Sequence, residues 1–213
     1  MPLPNFAHLQ AQPDLILNWL ATNLLLAGYI QNVPNPPGTS GVTIIPAPPN
    51  PVTGVTVAVN AAGAPVDVSA LNNNVAAAPA NTVPGYICNY AANNVNSVLL
   101  GTHGDFCFTI TLNGCTFGIG PAHANHTRLV SHANHGGIAH LQREQIRVAH
   151  GVGANLAGVT VLEPQLYRRF AVDLNMQATV FGIRTGYDWR FYFQSYSSHG
   201  QGTYRMYGVF PIM

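Results

Sequence analysis

From residue 95 onward the chain is a succession of short runs rich in Val, Ile, Thr and Phe, each closed within a few residues by Gly, Pro or Asn. "SVLL" (97–100), "DFCFTITL" (105–112), "CTFGIG" (115–120), "TRLVSHA" (127–133), "GVTVLEP" (158–164), "QATVFGIR" (177–184), "DWRFYFQSYS" (188–197) and "YRMYGVFPI" (204–212) read as strands. Most links between them are too short for the crossover of a dozen or more residues that parallel neighbours require. Repeated βαβ units are excluded. The expectation is a β-rich α/β fold: a central β-sandwich of mostly antiparallel strands, with a few covering helices and long loops.

Two helices are expected. Pro13-Asp14 can open one, since proline fits a first turn, and apolar residues at 15, 16, 19, 20, 24 and 26 keep helical spacing up to Gly28. The second is "AHLQREQIRVAH" (139–150), closed by Gly151. "NVPNPPGTSG" (32–41) can only be loop. Between 42 and 84, runs such as "VTIIP" and "VTGVTVAVN" predict short strands, and "NNNVAAAPAN" predicts a surface loop. "QLYRRFAVDL" (165–174) looks extended, and "TGY" (185–187) marks a hairpin. With 213 residues, one domain has room for a full core. The better-patterned part, about 95–213, is the expected catalytic core.

Composition narrows the partners. Charged residues are 7% of the chain and the formal net charge is +1, so there is no basic surface for nucleic acid or an anionic membrane. All the basic residues are arginine, beginning at Arg128. The bland account is an arginine-biased composition. The sharper one is selection against lysine, which removes ubiquitin acceptors from a protein that must persist in a foreign cytosol. Cys88, Cys107 and Cys115 are odd in number and contain no C-x-x-C pair, so no disulfide framework is expected. "LILNWLATNLLLAGYI" (15–30) is short for a membrane span and contains Asn18 and Asn23, and no cation precedes it as a secretory signal requires.

The chemistry centres on "FTITLNGCTFGIG" (108–120). Alternation puts Phe106, Phe108, Ile110 and Leu112 on one face, the expected core, and Cys107, Thr109 and Thr111 on the other. A two-residue hairpin at Asn113-Gly114 would set Cys115 opposite Leu112, as a small buried side chain. A glycine bulge at Gly114 would shift the register by one and turn Cys115 onto the Thr109 face. The pattern leaves both open.

Five of the nine histidines fall between 123 and 140: His123, His126, His132, His135 and His140. "HANH" occurs at 123–126 and again at 132–135. Pairs three apart suit a metal on a helix, but "PAHANHT" follows a proline and reads as loop. No Asp or Glu stands between Asp105 and Glu144 to complete a ligand set. No metal and no cofactor are expected, and a solvated loop is the expectation for His123, His126 and His135. His132 ends the apolar run "RLVS", where a neighbouring strand brings it beside Cys115. An imidazole next to a thiol is activated chemistry. Thr109 is placed to hydrogen-bond that imidazole.

"FTITLNGC" (108–115) resembles the F-T-x-x-L-S-G-C segment of the Burkholderia lethal factor, whose catalytic core is shared with the cytotoxic necrotizing factors. These are glutamine deamidase toxins that use a cysteine and a histidine. "VSH" (130–132) is similar to the Val-x-His around the family's histidine, and "QATVFGIRTG" (177–186) with Gln194 is similar to its C-terminal hairpin. The resemblance covers about 105–135 and 172–196. It departs where Asn113 replaces the motif serine and where the loop between cysteine and histidine is longer, leaving His135 as a rival to His132.

The resemblance implies Cys115 as nucleophile, His132 as base and Thr109 as the residue orienting the imidazole, with backbone amides near Gly114 and Cys115 holding the oxyanion. It implies a monomeric bacterial toxin or effector, secreted without a Sec-type signal peptide, that deamidates glutamine of a host protein in the host cytosol. Family substrates are a translation-initiation helicase and small GTPases. The same dyad would serve a cysteine peptidase or a transglutaminase. A non-enzymatic β-sandwich that binds through its histidine loop is the remaining class.

Overall fold

Two β-sheets pack face to face in the computed structural model, which describes residues 11–12, 14–20, 24–27, 40–46, 54–58, 82–90, 92–102, 104–170, 175–198 and 204–212. The strands are β1 (Leu24–Ala27), β2 (Ser40–Pro46), β3 (Gly54–Ala58), β4 (Thr82–Cys88), β5 (Val95–Leu100), β6 (Phe106–Thr109), β7 (Thr116–Ala122), β8 (Arg128–Ala133), β9 (Thr160–Leu162), β10 (Met176–Thr185), β11 (Asp188–Ser198) and β12 (Tyr204–Pro211). The larger sheet has the order β1-β3-β2-β4-β6-β10-β11-β12, and the smaller has β5-β8-β7-β9. Among the described strands, only β1 with β3 and β4 with β6 run parallel. The fold class is therefore the expected one, a β-rich α/β sandwich.

The core lies between the sheets. Val98, Leu100, Phe117, Ile119, Val130 and Leu162 of the smaller sheet meet Tyr86, Cys88, Cys107, Val180, Trp189, Phe191 and Phe193 of the larger. Alternation along β6 accordingly sends Cys107 inward. Phe106 and Phe108 go to the opposite face, in register with Ile183 and Phe181. Both phenylalanines are buried as expected, but Cys107, expected on the other face, is the one that enters the core between the sheets. Every residue of β6 is buried, and a strand covered on both faces leaves no polar side to reveal its orientation.

The first helix, α1 (Leu15–Leu20), is shorter than its apolar spacing predicts. Residues 24–27 form β1 instead, because short apolar runs fit a strand as well as a helix. Helix α1 lies on the outer face of the larger sheet, where Gln194 Nε2 donates to the Leu20 carbonyl at 2.8 Å. Helix α2 (Ala139–Ala149) covers the outer face of the smaller sheet through Gln142 and Ile146. Gly118 permits this approach, since a Cβ there would stand 2.7 Å from Ile146 Cγ2. A third helix, α3 (Pro164–Tyr167), replaces the start of the segment read as extended; Pro164 occupies a first-turn position where its missing N–H costs nothing. Of the loop expected at 32–41, Ser40 and Gly41 instead begin β2 and the rest lies outside the described residues, as does the loop expected at 72–81.

Candidate active site

The Asn113-Gly114 turn is not a hairpin. Strand β6 pairs with β4 and β10, whereas β7 pairs with β8 and β9, so the turn carries the chain from one sheet to the other. Leu112 fastens its near side by exchanging backbone hydrogen bonds with Ala178 at 2.6 and 3.0 Å. Gly114 takes φ +89°, in the left-handed region where a Cβ is penalised. Cys115 follows at the mouth of the smaller sheet.

Residues distant in sequence hold this turn on every side. The Gly114 amide donates to Tyr167 Oη at 2.8 Å, and the same hydroxyl donates to the Cys115 carbonyl at 3.1 Å. Gln142 Nε2 donates to the Gly114 carbonyl at 2.8 Å, while its Oε1 accepts from Thr116 Oγ1 at 2.5 Å. The Arg168 guanidinium donates to Asn113 Oδ1 at 3.1 Å. Such a turn has its cysteine placed in advance of any ligand. Of the expected oxyanion donors, the Gly114 amide is already committed to Tyr167.

Cys115 and His132 share a face. Thr116 pairs with Ala133 and Phe117 with His132, and cross-strand partners point the same way, with diagonal neighbours two residues off. Cys115 and Asn134 extend that register by one. His132 and Phe117 thus look into the inter-sheet core, with Cys115 beside them at the strand end. The His132 ring is fully buried, and among the described residues neither ring nitrogen has a hydrogen-bond partner. Buried polar atoms of this kind are few in native proteins, and each one requires an explanation. The Tyr90 ring lies 6.0 Å away by centroid, tilted 57°.

Tyr90 also lines a cavity of about 270 Å³, together with Ile110, Thr111, Asn113, Cys115 and Asn134. None of these side chains is charged. Burial pushes the Cys115 thiol up to about 11, with the backbone at Asn113 and the Arg168 cation pulling it down. Burial likewise holds the His132 imidazole down to about 4, opposed by the Cys88 backbone. Moving a proton from such a thiol to such an imidazole is uphill by roughly 9 kcal/mol before their attraction is counted. The resting pair is a neutral thiol and a neutral imidazole.

Thr109 is elsewhere engaged. Its hydroxyl accepts from the Val180 amide at 3.0 Å and donates to the Val180 carbonyl at 3.4 Å, so the hydrogen bond expected from Thr109 to the imidazole is not made. His123 and His126 lie exposed in the β7–β8 connection, and His135 is half-buried with Nδ1 3.5 Å from Gln145 Nε2. Among the described residues no three His, Cys, Asp or Glu side chains gather as a metal site would need. Sequence reasoning missed Tyr90, Asn134, Gln142 and Tyr167. Only Gln142 left a trace, as a polar residue on the apolar face of α2, one turn before Ile146.

No family model matches the chain, and no curated protein matches its sequence. Among solved structures it is similar to the C-terminal domain of CNFy from Yersinia pseudotuberculosis, at 9% identity and a TM-score of 0.36, over 61% of this chain and 61% of that one. The chain thus spans less than two thirds of that structure's length.

Proposed function

We propose that this protein is a thiol-dependent amidohydrolase that converts a glutamine side chain of another protein to glutamate. The observation that carries the reading is the cysteine turn: Cys115 is held by Tyr167 and Gln142, shares a sheet face with an unpartnered buried imidazole, and opens on an uncharged cavity. A lining of uncharged side chains suits a neutral carboxamide, which needs no counter-ion.

Cys115 Sγ attacks the carboxamide carbon while His132 accepts the thiol proton in the same step, so neither free charge of the unfavourable ion pair has to form first. The tetrahedral intermediate collapses as the C–N bond breaks, and His132 returns its proton to the departing ammonia. Water then adds to the thioester with His132 as base. The C–S bond breaks, the thiol regains its proton and glutamate is released. Thr109 does not support the imidazole, because Val180 engages its hydroxyl. Thr109 contributes by tying β6 to β10 beneath the turn.

Mass spectrometry of mammalian cell lysate, incubated with and without the protein, tests this. A defined glutamine should gain the mass of deamidation with the wild type and not with Cys115→Ala. A second reading, that Cys115 is a packing residue, draws on its exposure of only 5%. It requires Cys115→Ser to be destabilised by about 1 to 3 kcal/mol with any activity retained.

A further inference from the structure

We infer that the Asn134 carboxamide is the side-chain donor that stabilises the oxyanion formed at Cys115. Acyl transfer to a thiol passes through a tetrahedral oxyanion, and a site that accelerates it aims N–H groups at that oxygen. The Gly114 amide is spent on Tyr167. The Thr111 hydroxyl is 2.9 Å from Tyr196 Oη. Asn113 is exposed, and the hydrogen bond of Arg168 to its Oδ1 leaves only its Nδ2 to donate from the rim of the turn. Asn134 differs from all three. It spends its backbone amide on the Asn94 carbonyl at 3.0 Å, and its carboxamide makes no hydrogen bond among the described residues.

Its position fits the task. Asn134 stands one residue beyond the Ala133–Thr116 pair, directly across from Cys115, and both line the same cavity. His132, two residues earlier on β8, shares that face. One strand end therefore supplies the proton acceptor on the diagonal and the neutral donor opposite the nucleophile. Among the described residues no charged side chain lines the cavity, so polar N–H groups are what the lining itself offers a developing oxyanion.

The inference deepens the deamidase reading but needs only acyl transfer at Cys115, so two probes isolate it. p-Nitrophenyl acetate acylates a thiol through an oxyanion. Chloroacetamide alkylates it by displacement at a saturated carbon, with no oxyanion. With the Cys115→Ala background subtracted, Asn134→Ala should slow acylation by about a hundredfold or more. Alkylation at the same pH should stay within about twofold, and the melting temperature should be unchanged. Asn134→Gln should recover part of the loss. A parallel fall in both reactions would mean that Asn134 only positions the thiol, and would overturn the inference. So would an unchanged acylation rate, or a wild type that the ester does not acylate at Cys115. Should acylation and alkylation separate as expected while no lysate glutamine is deamidated, the donor stands and the glutamine reading falls.

Discussion

The tetrapeptide His-Ala-Asn-His occurs twice, at 123–126 and 132–135, and its two copies have opposite surroundings. The first lies in the connection between β7 and β8. There the His123 amide donates to the Thr127 carbonyl and the His126 amide to the His123 carbonyl, each at 2.9 Å, and His126 adopts φ 62°. Its imidazole stacks in solvent on Tyr187, with centroids 4.2 Å apart. In the second copy His132 and Ala133 are the last residues of β8. His132 is fully buried, Ala133 packs with Ile146 beneath α2, and Asn134 faces the cavity. Identical local sequence thus makes a solvated turn in one place and the wall of a candidate active site in the other. The difference is strand register, which sends alternate side chains to opposite faces.

The strongest test of that contrast is activity. His132→Ala should reduce glutamine-to-glutamate conversion in lysate by about a thousandfold or more. His126→Ala should stay within about twofold, and His135→Ala should show at most a modest loss. Equal losses at 126 and 132 would break the comparison, and a larger loss at 135 would move the base to the rival histidine.

Acid stability sharpens it next. The folded His132 imidazole titrates near 4, against 6.5 when unperturbed, so the unfolded chain takes up the proton first as pH falls. Its contribution is intact above about 6.5 and is lost progressively down to about 4, a total of roughly 3 kcal/mol. His150, lowered by burial, acts in the same direction. Urea unfolding at pH 7 and pH 4.5 should show this loss in the wild type, and His132→Phe should remove most of it. His150→Gln apportions the remainder. An acid limb as steep in His132→Phe as in the wild type would contradict a buried neutral imidazole.

The smallest effect belongs to the exposed copy. Tyr187→Ala removes the stack on His126 and should cost no more than about 0.5 to 1 kcal/mol by denaturant midpoint, with deamidation unchanged. A larger loss of activity would make the outer histidine loop part of the working surface.

How much was legible differs by element. Strands β7, β8, β10 and β11, helix α2 and the Gly186-Tyr187 hairpin were readable because each signal is local: period-two alternation, helical spacing closed by Gly151, or a glycine with positive φ. The pairing of β7 with β8, which puts His132 opposite Phe117, was readable, since two antiparallel strands with a short connection bring their matching ends together. Helix α1 was overread because 15–27 contains apolar residues that serve a helix and then a strand equally well. Tyr167 and Arg168 gave no local sign of their role.

The sequence by itself therefore determined which side chains alternate, where turns fall and that the charge-poor chain would build a β-rich core. Only the tertiary structure decided that Asn113-Gly114 crosses between sheets, that Thr109 serves Val180 rather than the imidazole, and that the turn is held by Tyr167, 52 residues from Cys115, and Gln142, 28 residues from Gly114. The reason lies in the range of the forces. Alternation and turn preferences act over a few residues and tell which side chains share a face. Which two faces meet, and which distant hydroxyl or amide ends beside a given carbonyl, depends on how the whole chain closes around its core.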